Sequence, residues 1–169
     1  FLPSEIKEYK QSELKNLSKL SYVNLATEII FNFCKDDIDK DQLTILIEKA
    51  YSNFESKEVV ELKKVGNHNL LELYHGPTLA FKDIAMQVIG KMYDYLEVSK
   101  NKVVNIIVAT SGDTGSAAIS ALNDRKNINV FALHAHNKIS NIQRKIMTTI
   151  GSNNVFNLAV EGSFDDCQN

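Results

Sequence analysis

The sequence has no tryptophan, and it contains only two cysteines and two prolines among its 169 residues. Cys34 and Cys167 lie far apart and form no CxxC pair, so the sequence predicts neither a disulfide framework nor a cysteine-based zinc site. No apolar run approaches membrane-spanning length, and residues 1–10 lack the basic start and apolar core of a secretory signal. We therefore expect a soluble, cytoplasmic protein that has no membrane partner.

An excess of basic charge is also missing. The chain has 19 Lys and Arg against 21 Asp and Glu, which gives a net charge of −2. Because no long basic run occurs either, we expect no nucleic-acid partner. Hydrophobic residues make up 44% of the chain and charged residues 24%, as in ordinary globular proteins. The length suits one domain with a core, or one domain with a smaller appendage.

The pattern of apolar residues changes near residue 65. Up to about residue 57 they recur at helical intervals, as in YVNLATEIIFNFC and DQLTILIEKAY. We therefore predict a helical N-terminal segment over residues 1–64 and an incomplete α/β portion over residues 65–169.

Short apolar runs alternate with helical patterns in the second part. Strands are predicted at residues 70–74, 103–109, 129–134 and 155–160, and helices at residues 80–96, 114–123 and 139–150. Repeated strand-to-helix order predicts an α/β fold, with βαβ units around a mostly parallel sheet. Residues 103–109, VVNIIVA, are apolar apart from Asn105, which is typical of a central strand that is covered on both faces.

The polar loop TSGDTG follows this strand at residues 110–115. Ligands of open α/β sheets bind at the carboxyl ends of strands, where glycines allow close approach and helix N-termini attract anions. Thr110, Ser111 and Thr114 add hydroxyl groups, so a carboxylate or phosphate is the natural ligand. The alternative is an ordinary turn in which Asp113 caps the helix, and the charge of Asp113 would itself repel an anion.

The segment HGPTLAFKD, residues 75–83, places Lys82 among apolar neighbours at the start of a helical pattern. Most lysines are solvated surface residues. A desolvated ammonium at the positive end of a helix, however, releases its proton more readily, which favours the free amine that a Schiff base requires. The pattern alone leaves both interpretations of Lys82 open.

Two patterns that suggest metal sites are weaker. Carboxylates at the spacing of an EF-hand loop occur at Asp37, Asp39, Asp41 and Glu48. Gln42 stands where that loop requires glycine, which favours a capped, solvated helix start. His134 and His136 would share one face of a strand, but no third ligand follows at a suitable spacing. We therefore predict no metal site.

Four motifs occur in a characteristic order: HGPTLAFKD, VATSGDTGSAA, ISNIQRKIMTTIG and VEGSFDDCQ. In this order and spacing they resemble the threonine synthase family, within the fold type II, tryptophan-synthase β-like pyridoxal-phosphate enzymes. The resemblance covers essentially the whole chain. The HGPTLAFKD form is more similar to this family than to cysteine synthase or threonine dehydratase.

The resemblance implies a role for each motif. Lys82 matches the lysine that binds pyridoxal 5′-phosphate as a Schiff base and later transfers protons. Asp113 occupies the position where relatives often have an asparagine that faces the 3′-oxygen of the cofactor. The residues that match the binding loop for the α-carboxylate of the substrate are Ser111, Gly112, Thr114 and Gly115. Those that would support the position of the lysine are His75, Thr78, Phe81 and Asp83.

The implied enzyme is a lyase of threonine biosynthesis, which converts O-phospho-L-homoserine and water to L-threonine and phosphate. The alternatives are another lyase of the same fold, such as threonine dehydratase, and an inactive fragment or binding domain. In this family the glycine-rich loop for the cofactor phosphate and the Ser or Thr at the pyridine nitrogen come further along the chain, and neither is visible here. We therefore expect these residues to be a portion of the enzyme that is inactive in isolation.

Overall fold

The computed structural model describes residue 3, residues 5–100 and residues 102–169. The helices are α1 (Gln11–Leu17), α2 (Tyr22–Cys34), α3 (Lys40–Tyr51), α4 (Asp83–Lys100), α5 (Asp113–Leu122), α6 (Asn141–Thr149) and α7 (Phe164–Gln168). The strands are β1 (Glu61–Val65), β2 (His68–Glu72), β3 (Val104–Ala109), β4 (Ile128–Ala135) and β5 (Val155–Val160). Within these described ranges, no helix combines the length and apolarity needed to cross a membrane.

Strands β3, β4 and β5 form a parallel sheet with β4 in the middle. Helix α5 connects β3 to β4, and α6 connects β4 to β5. This arrangement confirms the predicted α/β class. Because parallel strands end at the same edge of a sheet, the loops that follow the three strands lie along one edge.

One face of the sheet is covered by helices and carries the main core of the second part. This core contains Ile119, Ala121, Leu122, Ile128, Val130, Ala132 and Met147. On the opposite face, Ile107 is 72% exposed and Phe156 is 43% exposed. The prediction that residues 103–109 form a central strand covered on both faces is therefore wrong for the described chain. Apolar composition reports a capacity for burial, but it does not specify which strand lies in the middle.

The N-terminal helices have a second core, which includes residues of α2 and α3 and Val88 of α4. Both helices begin at side-chain caps: Ser21 accepts a hydrogen bond from the Asn24 N–H, and Asp39 accepts one from the Gln42 N–H. The acidic stretch before α3 is therefore a capped helix start, as the sequence favoured over an EF-hand loop.

Strands β1 and β2 form an antiparallel hairpin that is separate from the parallel sheet. The strand predicted at residues 70–74 thus pairs with β1, which the sequence pattern did not predict. Val65 pairs with His68 across a two-residue turn, and Gly66 has a φ of +61°, which suits glycine. The division between residues 64 and 65 lies within this hairpin and stays a prediction.

Helices α4 and α5 pack closely, and they run in the same direction. Contacts join Gln87 to Ser120, Gly90 to Ala121, and Asp94 to Arg125, just after α5. Since the partners occur in the same order along both segments, the helices are parallel and their N-termini lie at the same end. A Cβ atom at position 90 would lie 2.7 Å from the carbonyl oxygen of Ala121, so glycine permits this approach.

Replacing Gly90 with alanine should destabilise the fold. The added methyl group would force α4 away from α5, and overpacking of this kind costs about 1–3 kcal/mol. This exceeds the ~1 kcal/mol that alanine gains in helix propensity. Urea unfolding of the two proteins measures the difference. Gly151→Ala is the control, because a Cβ atom there would meet nothing within 4 Å. An unchanged or higher midpoint for Gly90→Ala would contradict the close contact.

Candidate functional site

Lys82 lies immediately before α4. Its carbonyl oxygen accepts a hydrogen bond from the Met86 N–H at 2.9 Å, so it stands at the N-terminal boundary of the helix. Two further hydrogen bonds shape the preceding turn, from the Leu79 N–H to Gly76 O and from the Asp83 N–H to Ala80 O, each at 3.0 Å. The backbone of Lys82 is thereby held at the positive end of α4.

The carboxylate of Asp83 fixes this turn from inside. Asp83 is completely buried, and its Oδ2 accepts the Thr78 N–H while its Oδ1 accepts the Thr78 hydroxyl, both at 2.7 Å. A Cβ atom at position 76 would lie 2.4 Å from the Cβ of Asp83, so Gly76 is needed for the turn to close over this residue. Thr78 and Asp83 thus support the position of the lysine between them.

The side chain of Lys82 is half-buried, and its Nζ lies 4.8 Å from the centroid of the Phe81 ring. Among the residues that the structure describes, no carboxylate forms an ion pair with this amine. The amine is therefore available to a ligand, whereas the adjacent acid, Asp83, is committed to Thr78.

A charged cluster anchors the start of the motif. The Nε2 of buried His75 lies 3.2 Å from the Oε2 of Glu72, and the Nζ of Lys63 lies 2.8 Å from the same oxygen. The hydrogen bond from Lys63, followed by one from Tyr74, holds the pKa of Glu72 below its ordinary value of 4.5. Glu72 therefore remains ionised between His75 and Lys63.

Glu61 completes a group of three potential metal ligands with Glu72 and His75, whose ligand atoms lie within 4.8 Å of one another. The ammonium group of Lys63 already pairs with both carboxylates of this group, since its Nζ also lies 3.6 Å from Glu61 Oε2. His134 and His136 belong to no such group in the described part of the chain.

The loop after β3 is braced by Thr110. This residue is 1% exposed, and its Oγ1 accepts the N–H groups of Gly112 at 2.9 Å and Gly115 at 2.8 Å. A Cβ atom at position 115 would lie 2.6 Å from the Cγ2 of Thr110. The sequence pattern offered the Thr110 hydroxyl to a ligand, but the fold uses its oxygen to hold the loop.

The outer part of this loop consists of exposed Ser111 and Asp113 and half-buried Thr114. Asp113 does not cap α5, because the N-cap is Gly112, and the side-chain oxygen that accepts an N–H of the first turn is that of Thr110. The alternative interpretation of Asp113 as a helix cap is therefore wrong. Instead, its Oδ1 accepts a hydrogen bond from the Nε2 of Gln143 at 2.7 Å.

Sequence reasoning missed this role of Gln143. The only local signal is the Ser140 to Gln143 capping box of α6, which predicts a helix start and not a contact with Asp113.

The parallel packing of α4 and α5 places Lys82 and residues 111–115 at the same end of the helix pair. This end is also the carboxyl edge of the sheet, because residues 111–115 connect β3 to α5. Two motifs that are separated in sequence thus lie at the same end of the helix pair, at the edge where α/β proteins bind ligands.

These features define an α/β protein with an available lysine and a strand-end loop at one edge of a parallel sheet. A family profile described as "Threonine synthase N terminus" matches residues 1–51. Threonine synthase of Eremothecium gossypii is 43% identical over 99% of this chain and 36% of its own length. The enzyme of Pseudomonas aeruginosa is 39% identical over the same shares.

Solved structures give the same result for the fold. Threonine synthase from yeast has a TM-score of 0.88 and 40% identity, covering 99% of this chain and 36% of its own. The pyridoxal-phosphate-bound threonine synthase from Brucella melitensis has a TM-score of 0.87 and 39% identity over the same shares. The chain therefore fits an N-terminal portion of threonine synthase, which confirms the resemblance in the four motifs. It spans about a third of the length of these relatives.

The brace between Thr78 and Asp83 can be tested by a matched pair of substitutions. Thr78→Val keeps the shape of the side chain but leaves Asp83 Oδ1 without this donor, which should cost about 1–3 kcal/mol of unfolding free energy. Thr78→Ser retains the hydroxyl and should lose less. Chemical denaturation compares the two variants, and equal losses would show that the hydroxyl is not the stabilising group.

Lys63→Met should reduce stability in a pH-dependent manner. Folding lowers the pKa of Glu72, so its contribution is present above pH 4.5 and is lost as pH falls through the lower folded value. The difference in unfolding free energy between wild type and Lys63→Met should therefore be greater at pH 7 than at pH 3. A difference that is constant over this range would contradict the assignment to Glu72.

Proposed function

We propose that this chain carries the cofactor-binding lysine and part of the substrate site of an enzyme that converts O-phospho-L-homoserine and water to L-threonine and phosphate. The observation that carries the proposal is the available amine of Lys82 at the same end of α4 and α5 as residues 111–115. The named relatives support this reaction. The enzyme is then a cytoplasmic lyase of threonine biosynthesis, with a small-molecule substrate.

The residues present fit one side of pyridoxal 5′-phosphate. The amine of Lys82 is free of ion pairs with the described carboxylates, as formation of a Schiff base with the cofactor aldehyde requires. Asp113 would face the 3′-oxygen. When bound, the cofactor supplies an electron sink for the negative charge that develops at the substrate Cα.

Lys82 also has a proposed role in proton transfer. The Nζ amine of Lys82 would accept the proton from the substrate Cα and would return protons in later steps. Phosphate leaves from Cγ, and water adds at Cβ. Thr78 and Asp83 fix the backbone of Lys82. The amine would therefore reach successive atoms of the substrate by movement of the Lys82 side chain alone.

The substrate carboxylate would bind at the outer part of the loop. Ser111 and Thr114 can donate hydroxyl hydrogen bonds at the N-terminus of α5. The N–H groups of Gly112 and Gly115 already bond to Thr110, so we assign these glycines a role in shaping the backbone. Gly112 has a φ of +131°, which other residues rarely adopt.

Threonine dehydratase is the alternative within the same fold, and the named relatives do not favour it. In a protein that contains this chain, release of phosphate from O-phospho-L-homoserine supports the proposed reaction. Release of ammonia from threonine would support the dehydratase.

The proposal is tested by reductive trapping. The purified full-length protein that contains this chain is incubated with pyridoxal phosphate, reduced with borohydride and digested, and mass spectrometry then locates the modified lysine. We expect the label to concentrate on Lys82 and to disappear in Lys82→Arg, which keeps the charge but cannot form the Schiff base.

Lys64→Arg is the matched control at an exposed lysine, and it should leave the label at Lys82 unchanged. Label that is scattered over several lysines, or labelling of Lys82 no greater than that of Lys64, would overturn the assignment.

A further inference from the structure

We propose that Gln143 is a positioning residue that holds Asp113, and with it the loop after β3, in the position where Asp113 faces the cofactor. The inference rests on the proposed function, and it assigns a role to a side chain on α6 that belongs to neither the lysine motif nor the loop itself.

The side-chain amide of Gln143 bonds at both of its ends. Its Nε2 donates to Asp113 Oδ1 at 2.7 Å, and its Oε1 accepts the Ser140 N–H at 3.2 Å. Ser140 belongs to the segment after β4, whereas Asp113 belongs to the loop after β3, at the start of α5. One amide therefore connects two strand-end segments at the edge of the sheet where the ligand is proposed to bind.

Gln143 also packs directly against the loop backbone. A Cβ atom at position 112 would lie 2.4 Å from the Cδ of Gln143 and 2.5 Å from its Oε1. Gly112 thus leaves the space that the amide occupies. Gln143 therefore fixes the loop at two adjacent positions. It contacts the backbone of Gly112, and it donates a hydrogen bond to the side chain of Asp113.

The chemistry of the amide explains why glutamine suits this position. A carboxylate at Asp113 is an acceptor, and the Ser140 N–H is a donor, so the bridging group must donate at one end and accept at the other. An amide does both without a charge of its own. Glutamate would retain the bond to Ser140 but would face Asp113 with a second negative charge.

A purely structural role as part of the α6 capping box is the competing explanation, and an isosteric pair of substitutions separates the two. Gln143→Glu keeps the size of the side chain and an acceptor for Ser140, and it changes only the group that faces Asp113. In the double variant Gln143→Glu with Asp113→Asn, the new asparagine can donate to the new glutamate, which restores the bond with reversed polarity.

The readout is the concentration of pyridoxal phosphate that gives half-maximal borohydride labelling of Lys82 in the full-length protein that contains this chain. We expect Gln143→Glu to raise this concentration about tenfold, because a hydrogen bond to a charged group is replaced by repulsion. The double variant should need less cofactor than Gln143→Glu alone. Gln11→Glu, at an exposed position on α1, controls for the added charge and should behave as wild type.

Thermal unfolding of each variant, followed by circular dichroism, shows whether it is folded at the labelling temperature. The positioning role would be overturned if Gln143→Glu had the same half-maximal cofactor concentration as wild type, or if the double variant needed as much cofactor as Gln143→Glu. Either result would leave Lys82 as the cofactor lysine. Failure of the wild-type full-length protein to label at Lys82 would overturn the proposed function and this inference with it. If Gln143→Glu does not fold, folding and labelling of the double variant support the proposed pair, and its failure contradicts it.

Discussion

The buried carboxylate of Asp83 is the group on which the rest of the site depends. A charge that is removed from water is costly unless it is hydrogen-bonded, and both oxygens of Asp83 bond to Thr78. The requirement to satisfy this charge closes the turn, and Gly76 leaves the room for it to close. Lys82 precedes Asp83 directly, so the same bonds that satisfy the acid fix the backbone of the amine at the start of α4.

A second constraint is the close approach of α4 to α5 at Gly90. Each helix has its N-terminus beside a motif: Lys82 in one case and residues 111–115 in the other. Parallel packing therefore brings an amine and a hydroxyl-rich loop to one edge of the sheet. Antiparallel packing of the same two helices would place them at opposite ends, although neither motif had changed in sequence.

Three acids in or near the two motifs have local partners. Glu72 is paired with Lys63 beside His75, Asp83 is bonded to Thr78, and Asp113 accepts from Gln143. Each partner satisfies a carboxylate that could otherwise form an ion pair with a nearby amine. Lys82 consequently retains an amine that no described carboxylate neutralises, which is the condition that its proposed chemistry requires.

The sequence by itself determined the elements whose signal is local. Apolar periodicity placed β5 at its observed bounds and α5 and α6 within two residues, and four motifs indicated the family before any fold was known. Tertiary structure alone decided which elements meet: β2 with an unpredicted β1, β3 at an edge of the sheet, and Gln143 with Asp113, thirty positions apart. The physical reason is that a pattern of apolar side chains specifies how much surface must be buried. The element that covers this surface, and the donor that reaches a distant carboxylate, depend on the path of the whole chain.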